Sequence, residues 1–252
     1  MSIAVLLKQV PDTTSKISFS GNAVDLNAVT KWSISPYDEY ALESALKLKS
    51  GGLGDIIAIT CGPSRSSKIL TDAAAVGADS LVHILVEDLI HDSRNIQKLL
   101  SSALNRLNCQ IILCGKQAAD TNSGSTGPGI ASLMEITCVS MVSEIKIDGD
   151  DLIAMRNGPN GQEEIQASKP CLFTFDKGTE ELRRPNVRGI MMAKKKSIET
   201  LTPSDLSVEL LNSSVKFDSQ ISPPEKPPGQ KFQGADSVAL VVQKLREEAN
   251  VI

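Results

Sequence analysis

Residues 115–128 read GKQAADTNSGSTGP, a stretch of Gly, Ser, Thr, Asn and Asp entered directly from the apolar residues ILC at 112–114. Backbone N–H groups turned outward by glycine, with hydroxyls beside them, form a donor set suited to phosphate. The GIASLM segment that follows (129–134) is expected to be helical, so the last amides of the loop would lie at a helix N-terminus. Two other polar loops follow apolar runs: KQVPDT (8–13) after IAVLL, and CGPSRSS (61–67) after DIIAIT. For CGPSRSS a turn that needs Gly and Pro is sufficient cause. Neither GxxxxGK[ST] nor GxGxxG occurs, so these residues alone leave nucleotide binding open.

Catalytic constellations are absent from the sequence: there is no GxSxG, no HExxH, and no Cys with a His nearby. The two histidines, His83 and His91, are too few and too isolated for a metal site or a triad, and His83 lies inside the strand-like SLVHILV. Five cysteines (Cys61, Cys109, Cys114, Cys138, Cys171) form no CxxC pair and stand mostly in apolar runs. They are expected to be reduced core thiols rather than metal ligands or disulfides. Redox work would therefore have to come from a bound cofactor or a partner.

A second group of residues could recognise a partner. Within LRRPNVRGIMMAKKK (182–196), residues 183–196 carry three Arg, three Lys and no acid, in a chain of net charge −4. This is either a solvated charge run or an exposed docking loop. In the second case Val187, Ile190 and Met191 stand between cations, Lys194 and Lys195 among them, and suit an acidic protein surface.

These residues must be positioned by a core expected to be built from Val, Ile, Leu and Ala, since aromatics are only 3% of a chain that is 41% hydrophobic. An acidic balance and so few rings also argue against a nucleic-acid binder. No stretch approaches the roughly 20 apolar residues that span a bilayer. The MSIAVLLKQVPD start lacks the pattern of a secretory signal, and a cytoplasmic location is expected. IAVLL (3–7), DIIAIT (55–60), SLVHILV (80–86) and QIILCG (110–115) are continuous runs, as parallel strands buried on both faces require. Helices are expected over 35–49, with Ser35 as N-cap and Pro36 at the first position, and over 66–78 and 93–107. This alternation predicts a doubly wound, mostly parallel α/β sheet, with ligands bound beyond the carboxyl ends of its strands. IDGDDLIAMRNGPNGQEEIQ (147–166) reads as a β-hairpin extension and CLFTF (171–175) as a further buried strand. The expected division is a nucleotide-binding domain over 1–200 and a C-terminal part over 201–252. That part comprises a Pro-rich arm (222–232) and an amphipathic helix with an Asp cap (236–249), fit to dock on a partner or on its own domain.

Together, VLLKQVPDT, SPYDEYALESALKLK, CGPS…GAD, ILCGKQAAD…TGP and GIMMAKKKSIE after KPCLFTF resemble the β subunits of electron-transfer flavoproteins over nearly the whole length. The resemblance implies an adenine-nucleotide α-hydrolase-like fold without catalytic residues of its own. It also implies an α subunit that holds most of the FAD and receives the C-terminal arm and helix. Electrons would pass from acyl-CoA or other flavin dehydrogenases to a quinone oxidoreductase. Carried over by position, the β-subunit nucleotide pocket would use Leu6, Ser35, Pro36, Tyr37, Asp38, Cys61, Gly115, Asp120, Asn122, Ser123, Gly124, Ser125 and Thr126. The basic stretch would be the recognition loop, with Val187 where the family has an anchoring leucine, a loss of up to about 0.8 kcal/mol if buried. A second departure is RNGPNGQEE (156–164), where the family has an acidic Gly-Gly turn.

The pocket's occupant is expected to be AMP. A second FAD, fed by NADH as in the electron-bifurcating members, is the alternative. KQVPDT, PYDEYALESALKLK and KPCLFTF look more like the bifurcating group, GSTG more like the AMP binders. A nucleotide-hydrolysing or nucleotide-sensing enzyme on the related fold is the competing class. Such enzymes carry a Ser/Gly phosphate loop close to the N-terminus, and KQVPDT is not one.

Overall fold

The continuous apolar runs become the centre of a nine-stranded sheet in a computed structural model that describes residues 2–87, 92–178, 181–215, 218–225 and 228–252. His91 lies outside the described residues. In chain order the elements begin with β1 (Ser2–Leu6), β2 (Gln9–Pro11), β3 (Phe19–Ser20), β4 (Ala23–Val24), β5 (Trp32–Ile34) and α1 (Pro36–Ser50). There follow β6 (Asp55–Gly62), α2 (Ser67–Val76), β7 (Ser80–Leu85), α3 (Ser93–Arg106), β8 (Ile111–Gly115) and α4 (Thr126–Met134). The chain continues through β9 (Thr137–Asp148), β10 (Asp151–Gly158), β11 (Gly161–Ala167), β12 (Cys171–Phe175), α5 (Val187–Ala193), β13 (Glu199–Leu201) and α6 (Val238–Glu247). The sheet order is β11-β10-β9-β12-β8-β1-β6-β7-β13. Every neighbouring pair is parallel except β9–β10 and β10–β11.

The runs are continuous because both faces are covered. Ile3, Val5, Ile56, Ala58, Ile111 and Leu113 pack with Ala41, Leu42 and Ala45 of α1 and Ile69, Leu70 and Ala73 of α2. On the other face Ala4, Leu6, Ile59, Ile112 and Leu172 pack with Leu99, Ala103 and Leu104 of α3 and Ile130 of α4. A fully buried aliphatic side chain contributes about 1.5–3 kcal/mol, so this double layer is the main stabilising term of the sheet.

The fold class and the buried strands are as expected, and several details differ. The antiparallel hairpin β10–β11 does form, but an unforeseen twelve-residue strand, β9, joins it to the main sheet. Met141 on β9 has φ 63°, and the register against β12 shifts there, pairing Phe173 with Val139 and Phe175 with Val142. A second shift, against β10, pairs Met155 with Glu144 and Arg156 with Val142, so the buried Val139, Val142 and Ile145 are three apart instead of two, which hides the strand from an alternation test. The basic stretch, expected as a loop, contains the short helix α5. Cys109, Cys114 and Cys171 are buried, but Cys138 is exposed; all five cysteines are free.

The described residues form two compact units, Met1–Ser18 with Asp25–Asp218, and Phe19–Val24 with Ser219–Ile252. The first runs past the expected boundary at residue 200, since β13 pairs with β7 and Leu201 and Leu206 are buried. Within the second, the β3–β4 hairpin receives Gln220, whose amide N–H reaches the Asn22 carbonyl (2.8 Å) while its Oε1 accepts from Val24 N (3.0 Å). The helix of this unit begins after a 3-10 turn at Ala235–Ser237, so Asp236 is inside that turn and Ser237 holds the cap position.

Close approach of α4 to the sheet depends on a missing side chain. A Cβ at Gly127 would stand 2.6 Å from Thr174 Cγ2 and 3.0 Å from Cys114 Sγ. Gly127→Ala is expected to destabilise the chain by about 1–3 kcal/mol through overpacking, read as a lower urea midpoint with unchanged slope.

Candidate functional site

From β1 the chain moves outward through β6 and β7, then returns to place β8 on the opposite side of β1. In open α/β sheets ligands bind where neighbouring strands lead away in opposite directions, and in this sheet that point lies at the carboxyl ends of β1 and β8. The polar loops after these two strands meet the N-terminus of α1 there.

Ser35 and Asp38 knit the three segments together. Fully buried Ser35 donates its N–H to the Lys8 carbonyl (2.9 Å), and its carbonyl accepts from Asp38 N and Glu39 N as α1 begins. Its hydroxyl does not cap the helix as an N-cap serine usually does; it accepts from Ala119 N (3.3 Å) in the long loop. Asp38 Oδ2 accepts from Lys8 N and its Oδ1 from Gly115 N, both at 2.8 Å. Gly115 is required by this approach: a Cβ would fall 2.5 Å from Asp38 Oδ1 and 2.7 Å from Tyr37 Cβ. Pro36 opens the helix, and Lys116 Nζ stands 4.9 Å from the Tyr37 ring centroid while pairing with Asp176 at 2.8 Å.

Burial pushes the Asp38 carboxyl up to about 7, against the two N–H donors that favour its charged form; the negative charge of Asp120 adds to the rise. Asp120 is itself held by Lys8 Nζ at 2.7 Å, so Lys8 serves the site through both its amide and its ammonium. The sequence marked the KQVPDT loop but not Lys8 itself, since a single cation after a strand carries no signal.

Beyond Asp120 the loop turns twice through left-handed backbone, at Asn122 (φ 52°) and Gly124 (φ 66°). Asn122 Oδ1 accepts from Gln117 Nε2 (2.9 Å), and Ser123 is exposed between the two turns. Ser125 occupies the N-cap position of α4 and Thr126 its first turn. The Ser125 carbonyl is anchored by Gln97 Nε2 (2.9 Å) from α3, yet its hydroxyl is buried with no hydrogen-bond partner. A buried hydroxyl without a partner is costly, and this one lies among helix-end amides suited to an anion. Leu6 is buried at the end of β1. Cys61 stands next to the last residue of β6, its thiol pushed up to about 12 by burial, which disfavours the thiolate. The turn after it contacts β2 and β5: Gln9 Nε2 reaches the Arg65 carbonyl (2.9 Å), and the Arg65 guanidinium carbon lies 4.3 Å from the Trp32 ring centroid.

The docking candidates form a separate surface. Val187 is 76% exposed and Met191 61%, with Ile190, Lys194 and Lys195 also turned outward on or just after α5. Asn186 caps this helix by accepting from Gly189 N (2.7 Å). Among the described residues no group of three or more His, Cys, Asp or Glu could hold a metal ion, and no helix is long and apolar enough to cross a membrane.

Comparison with known proteins bears on what such an arrangement serves. Residues 25–206 match the family described as electron transfer flavoprotein domain. The electron transfer flavoprotein subunit beta of Bacillus subtilis is 35% identical over 258 residues, covering 100% of both chains. The protein of the same name from Thermoanaerobacterium thermosaccharolyticum is 33% identical over 99% of this chain and 98% of its own. That from Homo sapiens is 29% identical over 98% and 97%.

Asp38 makes a testable contribution to the pH dependence of stability. Its folded value of about 7 lies above its ordinary value of 3.8, so the native state holds a proton that the unfolded chain releases. This contribution is full below the ordinary value and is lost as pH rises toward 7. Asp38→Asn is expected to flatten the decline in unfolding free energy between pH 5 and pH 8 by about 2–3 kcal/mol, measured by urea titration at the two pH values.

Proposed function

The chain belongs to the β subunits of the electron transfer flavoprotein family, and on that premise we propose that it pairs with an α subunit as a nucleotide-binding, partner-docking half of the complex. It has no catalytic role of its own. The FAD, held mainly by α, supplies the redox chemistry, taking electrons from acyl-CoA or other flavin dehydrogenases and passing them toward a quinone oxidoreductase. A cytoplasmic location goes with this reading.

The observation that carries the nucleotide reading is the unpartnered, buried Ser125 hydroxyl at the start of α4, beside the crevice at the switch point. In this reading Ser123, Ser125, Thr126 and the first amides of α4 hold a phosphate, and the left-handed turn at Gly124 lets the backbone come close. Leu6, Ser35, Pro36, Tyr37 and Cys61 wall the crevice, while Asp120 and Asn122 fix the loop that closes it. Asp38 is occupied by two backbone donors and so acts on the shape of the site, not on the ligand. AMP is the occupant we favour, on the small hydroxyl-bearing GSTG turn, with a second FAD as the competing occupant.

Docking rests on the exposed apolar residues of α5 flanked by Lys194 and Lys195. Contact with α is assigned to the second unit: Val238, Val242 and Leu245 recur at helical spacing along α6 and are all exposed.

Denaturing the purified α/β complex and identifying the released nucleotides by chromatography and mass tests the nucleotide reading. One FAD and one AMP per heterodimer is expected. Two FAD would assign the pocket to a second flavin, and one FAD with no second nucleotide would overturn the proposal. A hydrogen bond to a charged group contributes about 1.5–3 kcal/mol, so Ser125→Ala should weaken AMP retention about 10- to 100-fold, measured by dialysis and rebinding.

A further inference from the structure

Midway along α1, Glu43 is 5% exposed, surrounded by the apolar positions that pack this helix on the sheet. A carboxylate does not stay there unpaired. Its partner is Arg183, from the far side of the sequence. Arg183 Nε lies 3.0 and 2.9 Å from the two Glu43 oxygens, its second guanidinium nitrogen 2.7 Å from Oε1, and its backbone N–H 3.2 Å from Oε2. This two-pronged geometry fixes direction as well as distance.

The segment that starts at Arg183 is anchored again further on. At Gly189 a Cβ would collide with the Ala75 carbonyl of α2, so α5 rests directly on that helix. Lys196 Nζ then donates to the carbonyls of Ala78 and Asp79. Asp79 is held by Lys49, at the last turn of α1, with both oxygens within 2.7 Å, and also accepts from Ile56 N (2.9 Å). Two contacts at the ends of one basic segment thus lead back to α1, and between them Val187, Ile190 and Met191 face outward.

Only the carboxylate of this pair is buried, the Arg183 side chain being 40% exposed; such a pair is weak evidence for stability, and its better-attested use is to set register. We propose that Glu43 is a positioning residue for partner docking: through Arg183 it holds α5 in the orientation that a dehydrogenase meets. The inference rests on the reading of α5 as the docking element. Where the binding-competent orientation is populated only in part, apparent affinity falls by that fraction. Loosening the clamp therefore raises the concentration needed for docking and leaves electron transfer within the docked complex as it was.

The test uses the α/β complex as acceptor for an acyl-CoA dehydrogenase that reduces the parent complex when charged with butyryl-CoA. Glu43→Gln is compared with the double variant Glu43→Met/Arg183→Met, which removes the pair without leaving a buried charge. Both should raise KM about tenfold with kcat within about twofold, at unchanged flavin spectrum and nucleotide content. Amide hydrogens of residues 187–196 should exchange faster, again about tenfold. Unchanged KM in both variants, with or without faster exchange, overturns the inference and leaves Glu43 a residue of the fold. Val187→Asp separates the two levels. If it raises KM while the Glu43 variants do not, the docking reading stands and the positioning role fails. If Val187→Asp leaves KM unchanged, the docking reading fails, and the positioning role with it.

Discussion

One buried carboxylate, Asp38, joins the ends of the two strands between which the sheet reverses its order of growth. At that point the ladder of parallel pairing runs out, and the N–H groups of Lys8 and Gly115 need an acceptor away from water. An ionised or half-ionised carboxyl accepts from both at once, which neither a hydroxyl nor a further backbone carbonyl in that position would do with the same reach. Much else is conditional on this contact. Residue 115 has to be glycine, α1 has to begin at Pro36, and the Ser35 hydroxyl is turned from its own helix toward Ala119. The loop from Gly115 to Thr126 thus starts from a fixed point and ends at another, the Ser125 carbonyl held by Gln97.

What the sequence disclosed follows from the physics of each element. Strands covered on both faces need no alternation, so IAVLL, DIIAIT and QIILCG were legible as apolar runs. β9 was not, because two register shifts, one at the left-handed Met141 and one against β10 at Ser143, space Val139, Val142 and Ile145 by three. β13 has three residues and carries one buried side chain, too little for any periodicity. α5 was obscured by Pro185 before it and Gly189 within it, residues that usually interrupt helices. Here the glycine is needed for contact with Ala75, and the Asn186 side chain supplies the cap. At the crevice, residue types and loop positions pointed to Ser35, Asp38, Gly115 and Ser125 through the family resemblance. Lys8 and Gln97 could not be read, because their roles arise from contacts between segments distant in sequence.

Helix α1 belongs to both surfaces. Its first turn carries Asp38, its middle carries Glu43, and its last turn carries Lys49, while the intervening Ala41, Leu42, Ala45 and Leu46 are buried against the sheet. A helix packed this tightly moves as a body or not at all, since interiors at crystal-like density do not deform smoothly. The crevice and the basic segment are accordingly built on one stiff element, with variable parts carried on loops and a short outer helix.

The shortage of aromatic residues has an optical consequence. The chain holds a single tryptophan, Trp32, and its ring lies under the Arg65 guanidinium at the edge of the β2–β5 ladder. Indole emission from this subunit therefore comes from one place, next to the turn that follows Cys61. A cation held over the ring makes that emission sensitive to small shifts of the turn. The protein carries an intrinsic fluorophore beside the turn that follows β6, readable without a label and without interference from a second tryptophan of its own.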